Sequence, residues 1–186
     1  MKNKILIAVG LLLASVCASA QNYFGVTGGY NLTNMHHEMG SSDFERDPKS
    51  GFNVGASYEH RFHANGKGYP FLDAWLLYSQ EGYFYSDKDL KFLKIPVGVG
   101  YDFQLTRKFG LAPKVFGVLD VEMSDVSASD NNMFFAFGGG ANLNIGEKFS
   151  IGIGYELRRE SYGSNDDYYS WFNTFHTNLT YYIFSK

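Results

Sequence analysis

Cysteine is nearly absent: the 186-residue chain has one, Cys17. It lies inside Met1 to Ala20, which has the layout of a secretory signal. Lys2 and Lys4 form a positive start, Ile5 to Cys17 an apolar stretch, and Ala18-Ser19-Ala20 a small-residue cleavage site. Cleavage after Ala20 removes the only thiol, so the expected mature chain, 21–186, has no disulfide, thiol nucleophile or cysteine zinc site, although it is exported to where disulfides form. The alternative is a lipoprotein acylated at Cys17. That requires a small residue just before the cysteine, and Val16 fits poorly.

Long apolar runs are missing too. A helical membrane span needs about 18 or more consecutive apolar residues, and none follows Ala20. Basic charge is scarce: the formal charge of -3 becomes -5 once Lys2 and Lys4 leave, which offers no face for nucleic acid. There are 4 prolines. Against these shortages stand 17 Phe, 14 Tyr and 2 Trp, all beyond Ala20, and 21 glycines of which only Gly10 precedes it. Aromatics and glycines spread through such a chain point to β-structure.

Alternation with a period of two supports that reading. Phe24, Val26, Gly28, Tyr30 and Leu32 share one face, and Gly25, Thr27, Gly29, Asn31 and Thr33 the other. Phe52, Val54, Ala56, Tyr58 and Phe62 likewise oppose Asn53, Gly55, Ser57, Glu59 and Arg61, and Leu72, Ala74, Leu76 and Tyr78 oppose Asp73, Trp75, Leu77, Ser79 and Glu81. The fourth segment sets Leu93, Ile95, Val97, Val99, Tyr101 and Phe103 against Phe92, Lys94, Pro96, Gly98, Gly100 and Asp102. Phe109 to Glu122, Met133 to Ile145, Phe149 to Glu160 and Trp171 to Phe184 continue it, giving eight strands. Val54 to Glu59, Val97 to Asp102 and Ile151 to Glu156 repeat one weak pattern of aliphatic, small, Tyr and acid. Its glycines lie within strands, unlike those of a phosphate loop. Pro96, in mid-strand, predicts a bulge or local kink.

The connections alternate in kind. Asn34 to Ser50, Ser86 to Leu90, Met123 to Asn132 and Ser161 to Ser170 are mostly long and sum to -7; His63 to Tyr69, Gln104 to Lys108 and Gly146 to Lys148 are tighter and sum to +3. Long loops at one end and short turns at the other are the pattern of an outer-membrane barrel. An even strand number puts both termini at the turn end, the periplasmic side, and the acidic loops outside.

Eight strands also build soluble carriers, so the polarity of the two faces decides between them. The glycine-rich face carries Glu59, Arg61, Asp73, Glu81, Lys94, Asp102, Lys114, Asp120, Glu156 and Arg158, with His176 beside them. Charges facing hydrocarbon cost about 2–4 kcal/mol each at the bilayer midplane for Arg or Lys, whereas mixed signs facing inward neutralise one another. The charged face is therefore expected inside, as a network that takes in His176, and the apolar face in lipid. Phe24, Tyr30, Phe52, Tyr58, Phe62, Tyr101, Phe103, Phe109, Phe149 and Tyr181 suit interfacial girdles. An eight-strand interior holds only its own side chains. Trp75, Phe92, Phe116 and Phe134 fill it further, which argues against a diffusion pore.

Reactive constellations are weak. His36-His37-Glu38 lacks the spacing of a helical zinc site, since neighbours in extended chain point apart. Ser41, Ser42, His36 and Asp43 invite comparison with outer-membrane acyltransferases and lipid A deacylases, but nothing in the spacing fixes a triad. Asp166-Asp167 with Glu160, and Asp43 with Glu45 and Asp47, lack regular calcium-ligand spacing and read as solvated acidic loops.

Leu77-Tyr78-Ser79-Gln80-Glu81-Gly82 resembles the Leu-Tyr-Ser-Gln-Lys-Gly signature of the PorT-like outer-membrane β-barrel family of Bacteroidetes-type bacteria. Phe92-Leu93-Lys94-Ile95-Pro96 resembles its Tyr-Leu-Glu-Ile-Pro signature at a fitting distance, and Gly138-Gly139-Gly140 and the aromatic finish extend the likeness. Glu81, Phe92 and Lys94 depart from it mildly. The resemblance implies the fold and a Gram-negative outer membrane, with no reactive group in its motifs. The expectation is an all-β, eight-stranded antiparallel up-and-down transmembrane β-barrel: a non-enzymatic monomer without cofactor or metal, surrounded by outer-membrane lipid and lipopolysaccharide, meeting protein partners through its acidic loops. A secretion or adhesion component and a lipid-modifying enzyme are the alternatives.

Overall fold

The computed structural model describes residues 21–39, 42–45, 47–62, 68–82, 89–124, 132–161 and 169–185, without the side chains of 37–39, 42–45, 160–161 and 169. The signal reading of Met1 to Ala20 lies outside them.

Among the described residues there are nine strands: β1 (Gln21–Met39), β2 (Ser42–Glu45), β3 (Lys49–Arg61), β4 (Gly68–Gly82), β5 (Asp89–Gln104), β6 (Phe109–Glu122), β7 (Met133–Ile145), β8 (Phe149–Ser161) and β9 (Tyr169–Ser185). Eight of them close a barrel: β1 pairs with β3, each later strand with the next, and β9 with β1, all antiparallel. Closure leaves no edge in lipid, which is the condition for crossing a bilayer with strands. The ninth, β2, lies beyond the end of β3 and pairs with the last residues of β1, His36 with Glu45 and Met39 with Ser42.

The pairing fixes the geometry. From Asn22 the partners run His60, Leu72, Val99, Val115, Gly139, Tyr155 and Phe175, and the row returns to β1 at Leu32, ten residues past its start. That stagger tilts the strands by the ~35–45° usual in barrels. The first and last described residues lie at the turn end, where Tyr23 pairs with Ser185. The turns there have local causes. Gly146 takes φ 61°, a left-handed conformation glycine adopts without strain, and Thr106 Oγ1 accepts the amides of Lys108 and Phe109 at 3.1 Å each.

The molecule is inside out relative to a soluble protein. Among the described residues 24 polar or charged side chains are buried against 13 apolar or aromatic ones. Phe135, Phe137, Val115 and Ile183 are at least 60 % exposed, as a lipid-facing surface requires. At the turn end the girdle rings meet in pairs, Phe24 with Tyr58 at 4.9 Å and Phe149 with Tyr181 at 5.1 Å.

Two expectations are corrected. The connection Asn34 to Ser50 is largely strand, since β1 runs to Met39, β2 covers Ser42–Glu45 and β3 begins at Lys49. Pro96 makes no bulge: the β4–β5 register is the same on both sides of it, and only the pairs of Trp75 and Leu76 drop from the ladder. The proline's missing donor is thus absorbed by a local gap. The register shift falls instead in β1–β9, where Phe24 pairs with Phe184 but Gly25 with Tyr182, leaving Ile183 as the extra residue.

Candidate functional site

The lumen carries the charge and has three levels. Nearest the loop end, Lys94 Nζ lies 2.7 Å from Glu81, 2.8 Å from Glu156 and 3.7 Å from Asp120. Arg158 Nη1 lies 3.0 Å from Asp120 and 3.3 Å from Glu81. Four strands, β4, β5, β6 and β8, supply these five groups, so the cluster ties the barrel across its width. The Arg158 guanidinium is also held between rings, 4.5 Å from the Phe92 centroid and 4.9 Å from that of Phe172. Leu90, Phe92 and Phe134 form an apolar lid above it, with Met35 and Phe172 packed beside. Arg158 and Phe92 are at most 1 % exposed. The lumen is therefore filled at this level.

At the middle level Lys114 Nζ meets Asp73 at 2.5 Å and lies 4.2 Å from the Trp75 ring. His176 sits against Phe116, ring centroids 5.7 Å apart. A Cβ on Gly154 would overlap that imidazole, which is why the facing strand is bare there. Amides and hydroxyls link this level to the one above: Asn53 donates to Asn31 at 2.7 Å, Asn31 to Ser79 at 2.9 Å and Ser79 to Glu81 at 3.4 Å. The cavity left between them is about 30 Å³, room for a water or two.

At the turn end Arg61 Nε pairs with Glu59, whose other oxygen accepts Tyr182 Oη at 2.8 Å. Asp102 has no cation partner among the described residues; it accepts Tyr69 at 2.8 Å, Gln104 at 3.0 Å and Asn144 at 2.5 Å. Neutral donors suffice to hold a buried carboxylate when several converge.

The eleven candidates thus all face the lumen. Glu81, Lys94, Asp120, Glu156 and Arg158 form one cluster, Asp73 and Lys114 a second with His176 nearby, and Glu59 and Arg61 a third beside Asp102. Tyr23, Tyr69 and Tyr182 belong to the lumen as well, beyond the Trp75 and three Phe expected there. Extending the parity of each strand to its end places all three inside: Tyr182 follows His176, Asn178 and Thr180 by steps of two, before the bulge at Ile183. Glu122 was also missed; it is buried and accepts from Ser124 at 2.7 Å.

Among the described residues the reactive constellations are not brought together. Ser42 pairs with Met39, three residues along β1 from His36, or roughly 10 Å at 3.3 Å per residue, too far for a nucleophile–base hydrogen bond. Ser41, Asp166 and Asp167 lie outside the described residues, as do the side chains of His37, Glu38, Asp43, Glu45 and Glu160. Among the described residues no three His, Cys, Asp or Glu side chains gather to hold a metal ion.

Solved structures similar to the chain include the attachment invasion locus protein Ail of Yersinia pestis, at 17% identity over 89% of this chain and 99% of that one, TM-score 0.45. Ail in complex with the heparin analogue sucrose octasulfate matches equally. Neisserial surface protein A follows at 12% identity over 84% of this chain and 96% of that one, TM-score 0.43. No curated protein matches the chain. The family described as outer membrane protein beta-barrel domain matches residues 5–182, nearly the whole sequence, and the chain with its closed eight-strand barrel belongs to that family.

Proposed function

We propose that this protein is a non-enzymatic surface-interaction platform of the outer membrane, a closed barrel that holds a raised wall of strands for contact. The wall carries the reading. The upper apolar row of the lipid face runs through Tyr155, Phe175 and Leu32, yet β8, β9 and β1 continue together well past it, with β2 added on the far side of β1. A strand needs about 9–11 residues to cross a bilayer; β1 has 19 and β9 has 17. The surplus lies at the loop end. There the outward row becomes mixed, Leu157 with Asn173 and Asn34, and the next is Arg159, Trp171 and His36, which are cross-strand neighbours. Such a row, an indole beside a cation, suits the headgroup boundary of an outer leaflet rich in lipopolysaccharide. Above it the wall offers a surface to a protein or glycan partner.

The finer assignments belong to the same reading. Export by cleavage after Ala20, the monomeric state and membership of the PorT-like subgroup rest on the sequence features that suggested them. The wall favours a role in adhesion or a secretion assembly over lipid modification, because the Ser42 and His36 backbones stand apart.

A photo-crosslinking residue in place of Trp171, in intact cells, tests the reading. We expect discrete adducts with a surface partner or lipopolysaccharide, and none from the same probe at Tyr182 in the lumen. Equal labelling at both positions, or at neither, would overturn it.

A further inference from the structure

The turn end of the lumen differs in character from the levels above it. A cavity of about 180 Å³ opens there, six times the one at mid-lumen, between Tyr23, Arg61 and Tyr69 on one side and Arg107, Lys108 and Asn144 on the other. Arg61 is 7 % exposed, and its Nε donates to Glu59. Its Nη2 is buried with no hydrogen-bond partner among the described residues. The guanidinium is nonetheless held in place, with its carbon 3.7 Å from the Tyr23 ring centroid and 5.0 Å from that of Tyr69. A fixed, charged donor left unpaired beside a cavity is a group that an acceptor from solution can satisfy.

The rest of the wall has matching charge. Arg61, Arg107 and Lys108 face the cavity against one carboxylate, Glu147. The two other acids nearby are already engaged and are at most 3 % exposed: Glu59 by Arg61 and Tyr182, Asp102 by Tyr69, Gln104 and Asn144. The turn that carries Arg107 and Lys108 is fixed by Thr106 and by the Leu105 amide on the Phe109 carbonyl at 2.9 Å. Its two cations therefore stay at the rim.

We propose that this vestibule binds a phosphate-class oxyanion, with Arg61 Nη2 as its deep donor and Arg107 and Lys108 closing over it. Guanidinium presents paired donors that match two oxygens of such an anion. Free phosphate and the headgroup of an anionic phospholipid at the same rim offer the same chemistry.

The test uses the refolded mature chain in a maltoside detergent, following the Arg61 Nε–H resonance by NMR. Inorganic phosphate is titrated against chloride at constant ionic strength. A second arm transfers the protein to nanodiscs with and without phosphatidylglycerol. We expect a saturable shift at Arg61 with phosphate, or a shift specific to phosphatidylglycerol discs if the headgroup is the occupant. The Arg107→Gln/Lys108→Gln variant should bind about tenfold more weakly, while its unboiled gel mobility stays that of the parent. No saturation in either arm, or unchanged binding by the double variant, would overturn the site.

Discussion

Lys94 and Arg158 serve the same buried cluster unequally. Among the described residues Lys94 reaches three carboxylates of the cluster and Arg158 two of them, while Asp120 Oδ1 accepts no hydrogen bond. Three acids against two cations leave the cluster short of positive charge. Removing a cation from such a site strands buried charge and costs about 3–5 kcal/mol, whereas removing an acid relieves the imbalance. Lys94→Met should therefore lower the urea midpoint of the folded barrel steeply, and Glu156→Gln should cost no more than about 1 kcal/mol, the scale of one ordinary hydrogen bond. Equal losses in the two variants would show that the cluster is not limited by its cations. Which acid meets which base was not legible in the sequence. Parity put Glu81, Asp120 and Glu156 on the inner face, but only the ten-residue stagger brings β4, β6 and β8 to one height.

Strands in lipid announce themselves and strands outside it do not. The bounds of β6 and β7 agree with the alternation, because each of their outward positions faces hydrocarbon and must be apolar or small. Residues 34–39 and 42–45 have no such constraint above the bilayer, so they read as a loop although they pair as strand. Pro96 misled for a different reason. A lost donor bends a strand only if the register must change to accommodate it, and here two missing pairs suffice. The inward glycines make a sharper test of element packing. A Cβ at Gly138 would lie 2.7 Å from the Phe116 ring and closer still to the Tyr155 carbonyl, so Gly138→Val should cost about 1–3 kcal/mol or more by overpacking and lower the temperature at which the unboiled band is lost. Outward Gly139, whose nearest neighbour would be at 3.6 Å, should accept alanine with little change.

Over the whole molecule the polar residues form the interior and the apolar ones the surface, which explains a mean hydropathy of -0.23 in a membrane protein. Half of every strand faces a lumen that is filled with ion pairs, amides and rings at each level above the vestibule. Closure of the sheet and filling of the lumen together account for a stable barrel without disulfides, and unboiled protein should run apart from boiled protein on a denaturing gel. The most direct measurement is planar-bilayer recording of the refolded protein. With Arg158, Phe92 and Phe134 set across the upper lumen, little steady conductance is expected, and Phe92→Gly/Phe134→Gly should raise it. Large, stable channels in the unmodified protein would contradict a filled lumen.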